Sequence, residues 1–147
     1  MAELEPLRSK GWLTNFDGYE MTSSAVTVIG SGEARLDLIT ALSNRDLFYD
    51  GKLHLLGSTQ SNLTANISPM ASTSISTTGF HALFFWRSEP YHAMQQMVDL
   101  AHSRGISARF WGTPRSPNWL RWRIWRRLIS LGVDWLNTDH LWEAASF

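Results

Sequence analysis

Two runs decide how this chain folds: Ala101-His-Ser-Arg-Gly-Ile-Ser-Ala-Arg-Phe-Trp-Gly-Thr-Pro114 and Gly132-Val-Asp-Trp-Leu-Asn-Thr-Asp139. Each passes through a glycine where a helix stops, then a short run of strand-like residues, then a polar loop. Between them, residues 119–131 place Leu120, Ile124, Leu128 and Leu131 on one helical stripe, with Trp125 and Ile129 beside it. Helix, strand, helix, strand is the grammar of a parallel sheet.

The rest of the chain carries the same grammar less clearly. Residues 2–10 read as a short helix, with Leu4 and Leu7 on one face and Lys10-Gly11 as its stop. Residues 12–16 alternate like a strand, and Asp17-Gly18 is a tight-turn signal, so a small hairpin is expected near 12–22. Residues 25–29 are β-branched and extended. They run into Gly30-Ser31-Gly32 and a helix with Leu36, Ile39 and Leu42 turned inward. Those glycines serve either a tight turn or a backbone cradle for phosphate at the helix start. Leu47-Phe-Tyr49 is a short strand closed by an Asp50-Gly51 turn. A loop-rich insertion follows near 55–80, with one strand embedded near 71–75. The aromatic residues 80–86 are expected to form a turn of helix. Ser88 caps the next helix, Pro90 sits in its first turn, and Met94, Met97, Val98 and Ala101 form its inward stripe. After Asp139 comes a short terminal helix, which Asp139 is expected to cap. The expectation is one α/β domain over 1–147. An open sheet and a closed barrel fit this periodicity equally.

Composition narrows the function classes. Forty-four per cent hydrophobic residues support a real core, and a formal net charge of zero gives no global attraction to nucleic acid. The absence of Cys removes disulfides, thiolate metal sites and a Cys nucleophile. No apolar run approaches the ~18 residues of a membrane span, and the acidic start Met1-Ala-Glu-Leu-Glu-Pro is unlike a signal peptide. Two sequons, Asn62-Leu-Thr and Asn66-Ile-Ser, would suit a secreted protein if glycosylated; chance also makes such triplets in polar loops.

In combination, the two opening runs resemble the C-terminal part of the glycerophosphodiester phosphodiesterase-like family. That family is related to phosphatidylinositol-specific phospholipase C and sphingomyelinase D. Leu4-Glu-Pro-Leu-Arg-Ser-Lys-Gly-Trp-Leu-Thr14, Val26-Thr-Val-Ile-Gly-Ser-Gly32 and Arg45-Asp-Leu-Phe-Tyr-Asp50 are similar to its fungal branch, the one named for altered inheritance of mitochondria. The resemblance implies a TIM-type (β/α)8 barrel. Such barrels take ~250 residues, so the chain is expected to be the C-terminal half of one, an incomplete barrel that starts inside a helix. The implied chemistry is metal-assisted cleavage of a glycerophosphodiester or phospholipid. One His acts as base and a second as acid, while a Glu and an Asp hold Mg²⁺ or Ca²⁺. The family's His-Asn-Asp and Glu-x-Asp motifs do not occur in this sequence. No catalytic residue is therefore assigned, no metal is expected on this chain alone, and the chain alone is expected to be inactive.

In a barrel the carboxyl ends of the strands carry the site. That makes Gly30, Ser31, Gly32, Trp111, Thr113, Asn137 and Asp139 candidates for the substrate wall. For Trp111, packing and headgroup contact stand as equal alternatives. Residues 100–133 hold seven Arg and no acidic residue. Trp119, Arg121, Trp122, Arg123, Trp125, Arg126 and Arg127 are interleaved there. They form either a solvated outer helix or a surface for anionic lipid. A non-catalytic alternative follows: a half-barrel with two open edges and an uncovered apolar interior, acting through self-association or on a lipid surface.

Overall fold

Leu47-Phe-Tyr-Asp-Gly-Lys52 is one strand, not a strand closed by a turn. Asp50-Gly51 continues it because Gly51 lies where the chain packs most tightly. A Cβ there would stand 2.7 Å from the Ser68 hydroxyl and 3.2 Å from the Ala71 side chain. The Ser68 hydroxyl accepts the Gly51 N–H (3.0 Å) and donates to the Met70 carbonyl (2.8 Å), which locks two neighbouring strands together. Glycine is needed for close approach, a use that a turn signal imitates.

The computed structural model describes residues 2–81 and 87–147. Its strands are β1 (Asn15–Phe16), β2 (Met21–Thr22), β3 (Val28–Gly30), β4 (Leu47–Lys52), β5 (Met70–Ser74), β6 (Ser107–Trp111) and β7 (Trp135–Leu136). The α-helices are α1 (Glu5–Arg8), α2 (Leu36–Thr40), α3 (Glu89–His102), α4 (Asn118–Ser130) and α5 (Leu141–Ala145). β1 and β2 form the expected hairpin. The other five strands are parallel and lie in sequence order, β3-β4-β5-β6-β7. A sheet that always steps the same way is a sector of a barrel, since doubly wound sheets reverse direction. The fold is thus an α/β half-barrel, an incomplete TIM-type barrel.

Register and alternation separate the two faces of this sheet. Asp50 pairs with Met70, Met70 with Ser107, Ser72 with Arg109, and Arg109 with Trp135. Side chains alternate along a strand, so Asp50, Lys52, Ser72, Ser74, Ser107 and Arg109 share the inner face. Tyr49, Ala71, Ala108 and Phe110 share the other face and join the main core with Met94, Val98, Leu120, Ile124 and Leu128 from α3 and α4. Burial of those side chains supplies most of the fold's stability, at about 25 cal/mol per Å² of apolar surface. The inner face expected to be apolar is largely polar, as suits a barrel end that meets a ligand.

Several local expectations need correction. α2 is one short turn of helix whose Ile39 is buried, while Leu42 faces solvent. Ile129 on α4 is exposed as well. Ser88 precedes α3 in helical conformation and makes no capping bond with its side chain. Asp139 does not cap α5; its neighbour His140 holds that position, and Asp139 faces Arg115 at 3.6 Å. Of the aromatic run, Phe80 packs edge-on against Tyr91, with ring centroids 6.1 Å apart, and residues 82–86 lie outside the described residues.

The hairpin covers the start of the sheet. Thr14 N–H donates to the Val26 carbonyl and Val26 N–H to that of Trp12 (2.8 and 2.9 Å), a parallel bridge beside the chain entering β3. Arg45 then pins the hairpin. Its guanidinium lies 4.2 Å from the Phe16 ring centroid and donates to the carbonyls of Leu42 and Asn66.

Candidate active site

The carboxyl ends of β3 to β6 open into a cavity of about 700 Å³. It is lined chiefly by Ser31 and Gly32 after β3, Asp50 and Lys52 on β4, Ser72 on β5, and Arg109 and Trp111 on β6. His54 and Thr73 stand at its edge, joined through Nδ1 and Oγ1 at 2.9 Å.

Asp50 is the centre of this arrangement. Its Oδ2 accepts a hydrogen bond from the Ser72 hydroxyl at 2.8 Å. Its Oδ1 is buried and has no hydrogen-bond partner among the described residues. A carboxylate oxygen left in that state costs stability unless something else occupies it. Burial raises the Asp50 pKa above the ordinary carboxylate value, against the pull of Ser72, Arg109 and Lys52. Arg109 is aimed by Asn137, whose side-chain oxygen accepts from both Nε (3.1 Å) and Nη2. The cavity therefore combines two cations, one under-satisfied carboxylate, several Ser and Thr hydroxyls and the half-exposed ring of Trp111. That set is suited to a phosphate ester bearing a polar organic group.

The candidates read from the sequence divide into groups. Ser31, Gly32 and Trp111 line the cavity, while Gly30 ends β3 beneath it. A phosphate cradle at the start of α2 is absent: that helix has five residues, begins at Leu36 and follows an intervening turn. Thr113, Asn137 and Asp139 line a separate recess of about 40 Å³ beside Arg115 and Arg121, and Asn137 reaches the main cavity only by holding Arg109. Asp50, Lys52, Ser72 and Arg109 escaped notice. The available signal was charge at alternating strand positions, Asp50 and Lys52, in a β/α chain where strands otherwise read as apolar.

Two members of the lipid-surface group fall away. Arg121 is 2% exposed and Trp125 is fully buried. Arg121 donates to the Arg115 carbonyl, to Asn118 Oδ1 (3.1 Å) and to the Glu143 carboxylate. Trp125 packs edge-on against Phe147 at 5.3 Å. Both fasten the terminal segment to α4.

The family resemblance calls for a divalent cation held by carboxylates. Among the described residues no three His, Cys, Asp or Glu side chains converge as a metal site would need. Asp50 brings one bare oxygen, so the residues present do not make a metal centre by themselves.

A family model described as the AIM6-like phosphodiesterase domain matches residues 1–50. The altered inheritance of mitochondria protein 6 homolog of Arthroderma benhamiae is 34% identical over 152 residues, covering 98% of this chain and 46% of that protein. Altered inheritance of mitochondria protein 6 of Eremothecium gossypii is 30% identical over 159 residues, covering 98% of this chain and 40% of its own length. The chain thus spans somewhat under half the length of these curated relatives. No solved structure matches. A domain model that matches residues 1–50, relatives aligned along nearly the whole chain and a parallel half-barrel fold make the chain similar to the fungal AIM6 branch of the phosphodiesterase superfamily.

Proposed function

We propose that the Asp50 cavity is the phosphate-side wall of a metal-dependent phosphodiester hydrolase acting on glycerophosphodiesters or phospholipids. Lys52 and Arg109 take the phosphoryl oxygens, Lys52 as a mobile point charge and Arg109 as a fork held by Asn137. Trp111 packs against the organic group, and Asp50 accepts a substrate hydroxyl through Oδ1. The observation that carries this reading is the bare, buried Asp50 Oδ1 beside two cations on the functional end of the half-barrel. In this reading the chain alone binds the phosphate group without turning it over.

The test has two arms. Calorimetric titration with glycerol 3-phosphate is expected to give saturable binding, weakened about tenfold or more by Arg109→Gln, the usual cost of losing a charged hydrogen bond. Unchanged binding in that variant rejects the site. Incubation with glycerophosphocholine and Mg²⁺ is expected to release no product. Hydrolysis that EDTA stops would overturn the claim of inactivity.

A further inference from the structure

A second cavity lies on the outer side of the half-barrel, between the start of α3 and the later turns of α4. It measures about 400 Å³ and is lined by Arg87, Ser88, Tyr91, Arg123, Arg126, Arg127 and Ser130. Four of the seven residues carry guanidinium groups and none is acidic. No residue is shared with the Asp50 cavity. Arg126 and Arg127 are placed by ring stacking, over Phe147 at 5.4 Å and over Tyr91 at 5.2 Å. Such cation–ring contacts hold the guanidinium groups in place without using their N–H donors.

Sequence spacing on α4 adds the second half of the case. Trp119, Trp122, Arg126 and Ile129 follow one another at helical intervals of three or four and are all exposed. Arg123, Arg127 and Ser130 form the adjoining stripe, which turns toward the cleft. An aromatic and aliphatic ridge beside a row of arginines is what a bilayer's headgroup zone favours: Trp rests at the interface while Arg meets phosphate. A nucleic-acid duplex would use the arginines and leave the ridge idle, and the neutral chain supplies no wider positive field to attract it.

We infer that the α3–α4 cleft binds the phosphate of an anionic phospholipid headgroup and seats α4 on the membrane surface. The site differs in membership from the one suggested by the Trp/Arg sequence alone. Arg121 and Trp125 leave it, and Arg87 and Tyr91 enter. It does not depend on what the Asp50 cavity does.

The chain is tested by sedimentation with vesicles of phosphatidylcholine and with vesicles containing about 20 mol % phosphatidic acid, a content that gives a strongly negative surface. Binding is expected only to the anionic vesicles. The double variant R126Q/R127Q is expected to weaken it about 25-fold, from about fivefold per arginine near such a surface. The charge-matched control K10Q/R35Q is expected to weaken it less than about threefold, since those residues lie outside the cleft. Thermal melting of each variant checks folding; both changed arginines are exposed. Equal binding to neutral vesicles, an equal loss in the control, or full retention by R126Q/R127Q overturns the inference. So does inorganic phosphate binding as tightly as the anionic vesicles, which would indicate a free anion, or a preference for duplex RNA.

Discussion

At the residue scale, Asp50 shows how a site weighs against stability. A buried carboxylate with one bare oxygen is an unfavourable feature of the fold. Its folded-state pKa is raised, so the folded protein holds this proton more tightly than the unfolded chain does. Below the ordinary carboxylate range the group contributes no penalty. As pH rises from about 4 through the raised folded value, ionisation costs the folded state and stability falls. Asp50→Asn removes that loss. Its melting temperature is expected to exceed the parent's by about 3 °C, on the order of 1 kcal/mol, above the titration, with the difference vanishing below it. Calorimetric scans across pH check this, and a variant that melts lower than its parent at neutral pH would contradict it. The same residue illustrates a limit of sequence reading. Asp50-Gly51 carries the residue types of a turn, and only the hydroxyl of Ser68 packed against Gly51 shows why glycine belongs inside a strand.

At the scale of elements, α4 has two jobs divided by face. Leu120, Ile124 and Leu128 face the sheet, as their spacing predicts. Arg121 and Trp125 occupy the flank that the terminal segment covers, where the Arg121–Glu143 ion pair is almost wholly enclosed. Breaking one member of an enclosed pair strands the other charge. Glu143→Ala is therefore expected to cost about 3 kcal/mol, whereas the double change R121M/E143L is expected to be close to neutral, within about 1 kcal/mol. Urea unfolding of the three chains measures both. A single variant no less stable than the double one would mean that the pair is better solvated than its geometry indicates. Amphipathic spacing made the inward stripe legible. It could not distinguish a flank covered by another element from one open to water, because both carry polar and aromatic residues.

At the scale of the whole molecule, the sheet ends at β3 and β7. The first is partly bridged by the segment before β1, while β7 has two residues and, among the described residues, only β6 as its neighbour. Trp135 on β7 and Trp142 on α5 are 57% and 91% exposed. A free edge beside exposed tryptophans favours pairing with another chain. The purified chain is expected to self-associate, and Trp135→Lys is expected to shift it toward monomer. Light scattering on a size-exclusion column across a concentration series checks this. A monomeric mass throughout would show that the terminal segment protects the edge adequately.

The sequence by itself determined the alternation of strands and helices, the inward stripes of α3 and α4, and the resemblance to the phosphodiesterase superfamily. These depend on local periodicity and on short runs that keep their meaning along the chain. Strand order, the division of the sheet into a packed face and a polar face, and the Asp50 cavity were decided only by tertiary structure. Asp50, Ser72 and Arg109 are separated by 22 and 37 residues, and parallel register alone brings them together. Periodicity places a side chain on one side of its own strand. It carries no information about which strand lies next to it, and the site is made by those neighbours.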